Sequence, residues 1–113
     1  MKIKVPDFKS LILFEDEHYM VVNKPPFLSS LDDRQEPNNL LKLARGYYSD
    51  AQLCHRLDKE TSGALILSKD QEAYRSMAIL FERREVKKIY HAVVNGLHDL
   101  QDTRVEAAIS VVP

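Results

Sequence analysis

The chain has 113 residues, 44% of them hydrophobic, with 16 lysines and arginines against 17 acids and a net charge of −1. That length fits one modest domain with a real core and leaves no room for two. The near-neutral balance excludes a protein that coats nucleic acid through its global field, because neutralising phosphates needs a surplus of cations, but it leaves room for a local basic patch. A single cysteine, Cys54, excludes an internal disulfide and points to the reducing cytoplasm. Residues 1–7 lack the apolar core of a signal peptide, and no apolar run approaches the ~20 residues of a membrane span, so no membrane partner is expected.

In chain order, Leu11 to Phe14 and Tyr19 to Val22 are short apolar runs separated by Glu15-Asp16-Glu17-His18, which predicts two strands and a polar turn. Asn23-Lys24-Pro25-Pro26 stops the second strand, since proline cannot donate to a ladder. Residues 29–38 are polar and read as a loop. Asn38 or Asn39 can cap a helix through about Tyr48, with Leu40, Leu43 and Tyr47 at helical spacing. Ala51 to Leu57 reads as a strand, and Ala64 to Leu67 as a buried one. Asp70 is an N-cap for a helix that places Ala73, Met77, Leu80 and Phe81 on one stripe. Lys87 to Asn95 and Thr103 to Val112 predict two further strands. Strands with only two main helices among them define an α+β fold with a mixed, largely antiparallel sheet.

The chemistry concentrates in His55-Arg56-Leu57-Asp58-Lys59-Glu60-Thr61-Ser62-Gly63. Extended backbone would put Arg56 and Asp58 on one side of the chain, where a guanidinium would favour an ionised carboxylate. Thr61 and Ser62 can bond back to the backbone, and Gly63 permits tight geometry before the next strand. Read from the residues alone, the commoner explanation is an ion pair tying down a surface turn, and local physics names no reaction. His55, His91, His98 and Cys54 have no metal-site spacing, so no metal is expected.

The order His-Arg-Leu-Asp, two variable residues, then Thr-Ser-Gly resembles the active-site motif of the RluA-type pseudouridine synthases at every fixed position. Asn23-Lys24-Pro25 resembles the family's early element. Ala64 to Lys69 resembles the strand after the motif, and Lys88-Ile89-Tyr90 its Lys-x-Tyr element. The resemblance runs from about Leu11 to Gly96. It implies an enzyme that isomerises uridine to pseudouridine in structured ribosomal or transfer RNA, with Asp58 as the catalytic carboxylate and Tyr90 against the base. Arg56 would help extrude the nucleotide; His55, Thr61 and Lys88 would complete the substrate-binding set. The reaction is an isomerisation, so no redox cofactor is implied. The family's later basic element has no counterpart before Pro113. The resemblance therefore implies that residues 1–113 are the N-terminal portion of a catalytic domain, inactive alone and prone to self-associate through an exposed sheet edge. The alternatives are a non-catalytic RNA-binding module with the synthase fold and, more remotely, a hydrolase using Asp58 on another glycosidic bond.

Overall fold

Strict alternation along two adjacent strands divides the sheet of this protein into a sealed face and an open one. The computed structural model describes residues 5–31, 38–97 and 104. A single helical turn, α1 (Phe8–Leu11), leads into β1 (Ile12–Glu15) and β2 (Tyr19–Lys24); α2 (Leu40–Tyr47) and the short β3 (Gln52–Leu53) follow, then β4 (Gly63–Ser68) and α3 (Gln71–Glu82). The four strands form one sheet in the order β1-β2-β4-β3, with every neighbouring pair antiparallel. The expected α+β class and antiparallel sheet are both present.

The register sets Met20 against Leu67, Val22 against Leu65 and Lys24 against Gly63. Side chains two apart share a face of a strand, so these residues project to the same side. Phe8 of α1 and Leu40 and Ala44 of α2 pack onto them with Leu28 and Ala51, and together they make the buried core. Burying a side chain of this kind contributes about 1.5–3 kcal/mol, which makes this layer the main source of stability. On the opposite face, among the described residues, α3 is the one helix packed on the sheet, and there the Tyr19 hydroxyl donates to the Ala73 carbonyl at 2.9 Å.

Both long helices start where the sequence places their caps. The Asn39 side chain accepts the Lys42 N–H and the Asp70 side chain accepts the Ala73 N–H. At the other end of α3, Glu85 N–H donates to the Leu80 carbonyl and Arg84 N–H to the Phe81 carbonyl, with Arg84 at a φ of +57°. This is a Schellman motif in which arginine holds the left-handed position usually given to glycine.

Several expectations need correction. The strand expected over Ala51 to Leu57 pairs only at Gln52 and Leu53, with Cys54 N–H reaching the Ile66 carbonyl before the chain leaves the sheet. Lys87 to Asn95 forms no strand, and Ile89 and Val93 are exposed. Its apolar composition suits a strand, but none of the four described strands pairs with it. The run from Thr103 to Val112 lies outside the described residues, apart from Arg104. On α2 the sealed stripe is Leu40 and Ala44, whereas Tyr47 sits at the rim and donates to Glu15 Oε1 at 2.8 Å. On α3 only Ala73 of the expected stripe is fully buried, because the face it packs on stays partly open.

The β1–β2 turn is tied to the start of α3. Asp16 Oδ1 accepts the N–H groups of His18 and Tyr19, and the His18 carbonyl accepts the Lys69 N–H. His18 Nδ1 meets Asp70 Oδ2 at 2.9 Å. The hydrogen bond to Asp70 raises the His18 pKa, and the same bond lowers that of Asp70. Stability from the raised histidine is complete below its ordinary value of about 6.5 and is lost as pH rises through the folded value. Stability from the lowered carboxyl is present above about 3.9 and is lost as pH falls through the folded value. Asp70→Asn keeps the cap and is expected to abolish the part of the decline in thermal midpoint between pH 6 and 8 that this pair causes. Asp70→Ala loses the cap as well and should lower the midpoint by several degrees throughout. A profile unchanged in Asp70→Asn, followed by circular dichroism, would show that the link carries no stability.

Candidate active site

The segment 54–62 has no regular structure of its own, so other parts of the chain must hold it. The chief clamp is Lys24. It is the last inward-facing residue of β2, two positions beyond Val22, and its side chain is fully buried. Its ammonium donates to the carbonyls of Pro25 at 3.1 Å, Leu28 at 2.7 Å and Lys59 at 3.1 Å. An ammonium has three donors, and all are used. Burial lowers the pKa of Lys24, while the Glu60 and Asp58 carboxylates nearby favour its charged form.

Two further links join the loop after β2 to the motif. Phe27 N–H donates to the Lys59 carbonyl at 2.6 Å, with Phe27 itself in the left-handed region at a φ of +69°. The buried Ser30 hydroxyl donates to the Leu57 carbonyl at 3.0 Å and accepts the Leu57 N–H at 3.4 Å. Within the motif, Thr61 N–H closes a turn on the Asp58 carbonyl at 3.0 Å. Gly63 enters β4 at a φ of +129°, a conformation that L side chains rarely adopt. Asp58 is thus presented at the head of a turn fixed from both sides.

The carboxylate of Asp58 is exposed and has no hydrogen bond or ion pair among the described residues. The Arg56–Asp58 pair expected from an extended backbone does not form among the described residues. Arg56 is exposed and lines a groove with Lys42 and Arg45 of α2. His55, Lys88 and Tyr90 come together elsewhere, around a cavity of about 310 Å³ on the open face of the sheet, with Leu57, Ser62 and Gly63 of the motif in its wall. Val21, Ile66 and Phe81 supply its apolar lining.

His55 is anchored in that wall. Its Nε2 accepts the Ile66 N–H at 3.1 Å, which assigns the ring proton to Nδ1, and its ring stacks on Phe81 at a centroid distance of 4.7 Å. Burial, and secondarily the charge of Lys88, keeps its pKa below the ordinary histidine value. The Lys88 ammonium lies 5.5 Å from the Phe81 ring centroid. Tyr90 contributes to the cavity but is 62% exposed. Of the expected site residues, then, three share the cavity, Asp58 and Thr61 share the turn beside it, and Arg56 faces the groove.

Lys24, Ser30 and Phe81 are positioning residues to which the sequence reading assigns no role at the site, although it names Lys24 in the Asn23-Lys24-Pro25 element and Phe81 on a helix stripe. For Lys24 a signal was present: it continues the alternation of Met20 and Val22 onto the buried face, where a lysine is out of place without partners. For Ser30 there was none, since its partner is 27 residues away.

The hairpin-led antiparallel sheet thus carries an aspartate turn beside an aromatic-lined cavity on its open face. The sequence profile of the RNA pseudouridylate synthases matches residues 18–111. The dual-specificity RNA pseudouridine synthase RluA of Vibrio parahaemolyticus is 34% identical over 97 residues, covering 84% of this chain and 39% of its own length. RluA of Salmonella typhi is 40% identical over 88 residues, covering 76% and 40%. Tertiary structure agrees: the human RNA pseudouridylate synthase domain containing 4 superposes with a TM-score of 0.57 at 30% identity, over 69% of this chain and 31% of that one. The chain belongs to the RNA pseudouridylate synthase family and, within it, is of the RluA type. It spans about two fifths of the length of these two bacterial relatives.

Because Lys24 joins three carbonyls from two loops, its removal strands buried acceptors and frees the Asp58 turn together. Lys24→Met is expected to cost about 3 kcal/mol or more in urea unfolding, from the loss of charged hydrogen bonds and of acceptor satisfaction. A cost below about 1 kcal/mol would mean that water replaces the ammonium and the clamp is dispensable.

Proposed function

We propose that this chain supplies the catalytic-motif portion of an enzyme that isomerises uridine to pseudouridine in structured RNA, with Asp58 as its catalytic carboxylate. The observation that carries the proposal is the complete motif from His55 to Gly63, held on a clamped turn that leaves the Asp58 carboxylate without a protein partner among the described residues. Support for an RNA substrate comes from relatives named for ribosomal large subunit and transfer RNA, among them the tRNA pseudouridine synthase C of Pectobacterium carotovorum, 35% identical over 103 residues and 88% of this chain, though over only 27% of its own length.

In this reading the N1–C1′ bond of uridine breaks, the uracil turns, and a C5–C1′ bond forms; the proton at C5 leaves and N1 gains one. No atom or electron is gained overall, so the chain needs no redox partner. Asp58 acts on the reacting nucleotide, either at C1′ as in a retaining glycosidase or at the ring. A base within structured RNA must first leave its stack. Arg56 serves that extrusion, and Tyr90 offers a ring face to the extruded base. His55 and Thr61 shape the pocket wall and turn, and Lys88 adds positive charge at its rim. Residues 1–113 form the N-terminal portion of the catalytic domain, working in the cytoplasm. A second reading, a non-catalytic RNA-binding module, is favoured in one respect by the openness around Tyr90.

In an enzyme extended to the length of its relatives, Asp58→Asn should abolish tritium release from 5-labelled uridine in RNA while leaving the fold and RNA affinity nearly intact. Tyr90→Ala should reduce turnover more than affinity. Normal turnover by Asp58→Asn would remove the residue from the mechanism and leave the binding-module reading.

The 113-residue form should show no turnover, because a preorganised pocket is what makes a carboxylate effective. The edge strand β1 exposes Leu13 and Phe14, and Ile89, Val93 and Val94 are uncovered beyond α3. Such edges and patches favour association. Sedimentation of the chain is expected to show dimers or larger species; a monodisperse active monomer would overturn both statements.

A further inference from the structure

The groove that receives Arg56 is distinct from the cavity of His55 and Tyr90, and the reading above gives it no task. It measures about 580 Å³ and is lined by Leu31, Asn39, Leu41, Lys42, Arg45 and Arg56. We propose that this groove, between α2 and the motif turn, binds the phosphate backbone of the RNA strand that flanks the target uridine. The inference rests on the RNA-isomerase reading and adds to it a strand path and the residues that hold it.

Charge distribution is the first argument. Across the whole chain cations and acids nearly cancel, 16 against 17. Among the described lining residues of this groove, three of six are cations and none is an acid. A near-neutral protein that binds RNA must concentrate its positive charge where the strand lies, because local phosphate contacts supply the affinity that the global field does not.

The state of the two arginines is the second. Arg45 uses its Nε–H to donate to the Ala51 carbonyl at 3.0 Å, which fixes the guanidinium while its terminal nitrogens have no partner among the described residues. Arg56 forms no ion pair with a described residue, although Asp58 is two positions away. A guanidinium held by one edge presents a planar pair of donors suited to two oxygens of a phosphodiester. Leu31 and Leu41 add apolar surface of the kind that a ribose can rest on.

Position is the third. Arg56 belongs to the motif, so an anion bound between Arg45 and Arg56 sits next to the nucleotide presented to Asp58. A strand lying there leaves the cavity of Tyr90 for the extruded base. Phosphate contacts of this kind set register without reading sequence.

The test is titration of the 113-residue chain with a fluorescein-labelled RNA stem-loop carrying uridines in its loop, over a series of salt concentrations. Each phosphate contact contributes about 0.7–0.9 to the slope of log affinity against log salt. Lys42→Gln with Arg45→Gln should therefore flatten the slope by about 1.4–1.8 and weaken binding at low salt on the order of tenfold. Lys42→Gln alone keeps the Arg45–Ala51 link and should flatten it by about 0.7–0.9, so the proposal stays testable if the double variant unfolds. If the parent binds with a steep slope that both variants retain, the groove does not hold the strand and the isomerase reading survives. If the parent shows no salt-dependent RNA binding, the groove proposal falls together with the RNA reading.

Discussion

The fold of the candidate site hangs on one buried ammonium. Lys24 ends the strand that forms the middle of the core, and its three donors gather carbonyls from its own loop and from the motif turn 35 residues away. An uncompensated charge in such a place would be costly, and full hydrogen-bonding is what makes it tolerable. The consequence is directional. β2 is positioned by the core, Lys24 by β2, and the Asp58 turn by Lys24. A surface loop acquires the rigidity of the sheet with only Leu57 of the motif packed against the core. Ser30 and Phe27 reinforce the same junction through the backbone of Leu57 and Lys59.

What the sequence revealed and what it concealed follow from the range of the interactions involved. The caps Asn39 and Asp70 were legible because a cap acts on its own first turn. The alternation in β2 and the apolar run of β4 were legible for the same local reason. The one-turn helix at Phe8–Leu11 is too short to carry a period. The order β1-β2-β4-β3 depends on pairing across more than 40 residues, which no local pattern encodes. Lys87 to Asn95 shows the opposite failure: its composition is that of a strand, but composition cannot provide a neighbour. In the candidate site, the motif was legible whole. Its division was not, because His55 is held on one side by Ile66 and Phe81, partners distant in sequence, while Arg56 lines the groove on the other.

That division has a physical logic. The open face of the sheet offers apolar and aromatic surface around Phe81, His55 and Tyr90, the environment a flat base prefers. The groove facing α2 instead gathers the cations Lys42, Arg45 and Arg56 beside the apolar Leu31 and Leu41. Leu57, Ser62 and Gly63 of the motif line the first surface and Arg56 lines the second, so a single nine-residue segment contributes to both.

The junction between the two loops is made through main-chain carbonyls, those of Pro25, Leu28, Leu57 and Lys59. A carbonyl is the same in every amino acid. The clamp on the aspartate turn is therefore indifferent to side-chain chemistry as such, although Leu28 and Leu57 are held in addition by packing in and against the core. Lys59, one of the two variable places inside the motif, enters the clamp through its backbone oxygen, and Glu60, the other, carries a charge that favours the ionised Lys24. A clamp written in main-chain atoms tolerates variation at these two places that a clamp written in side chains would not.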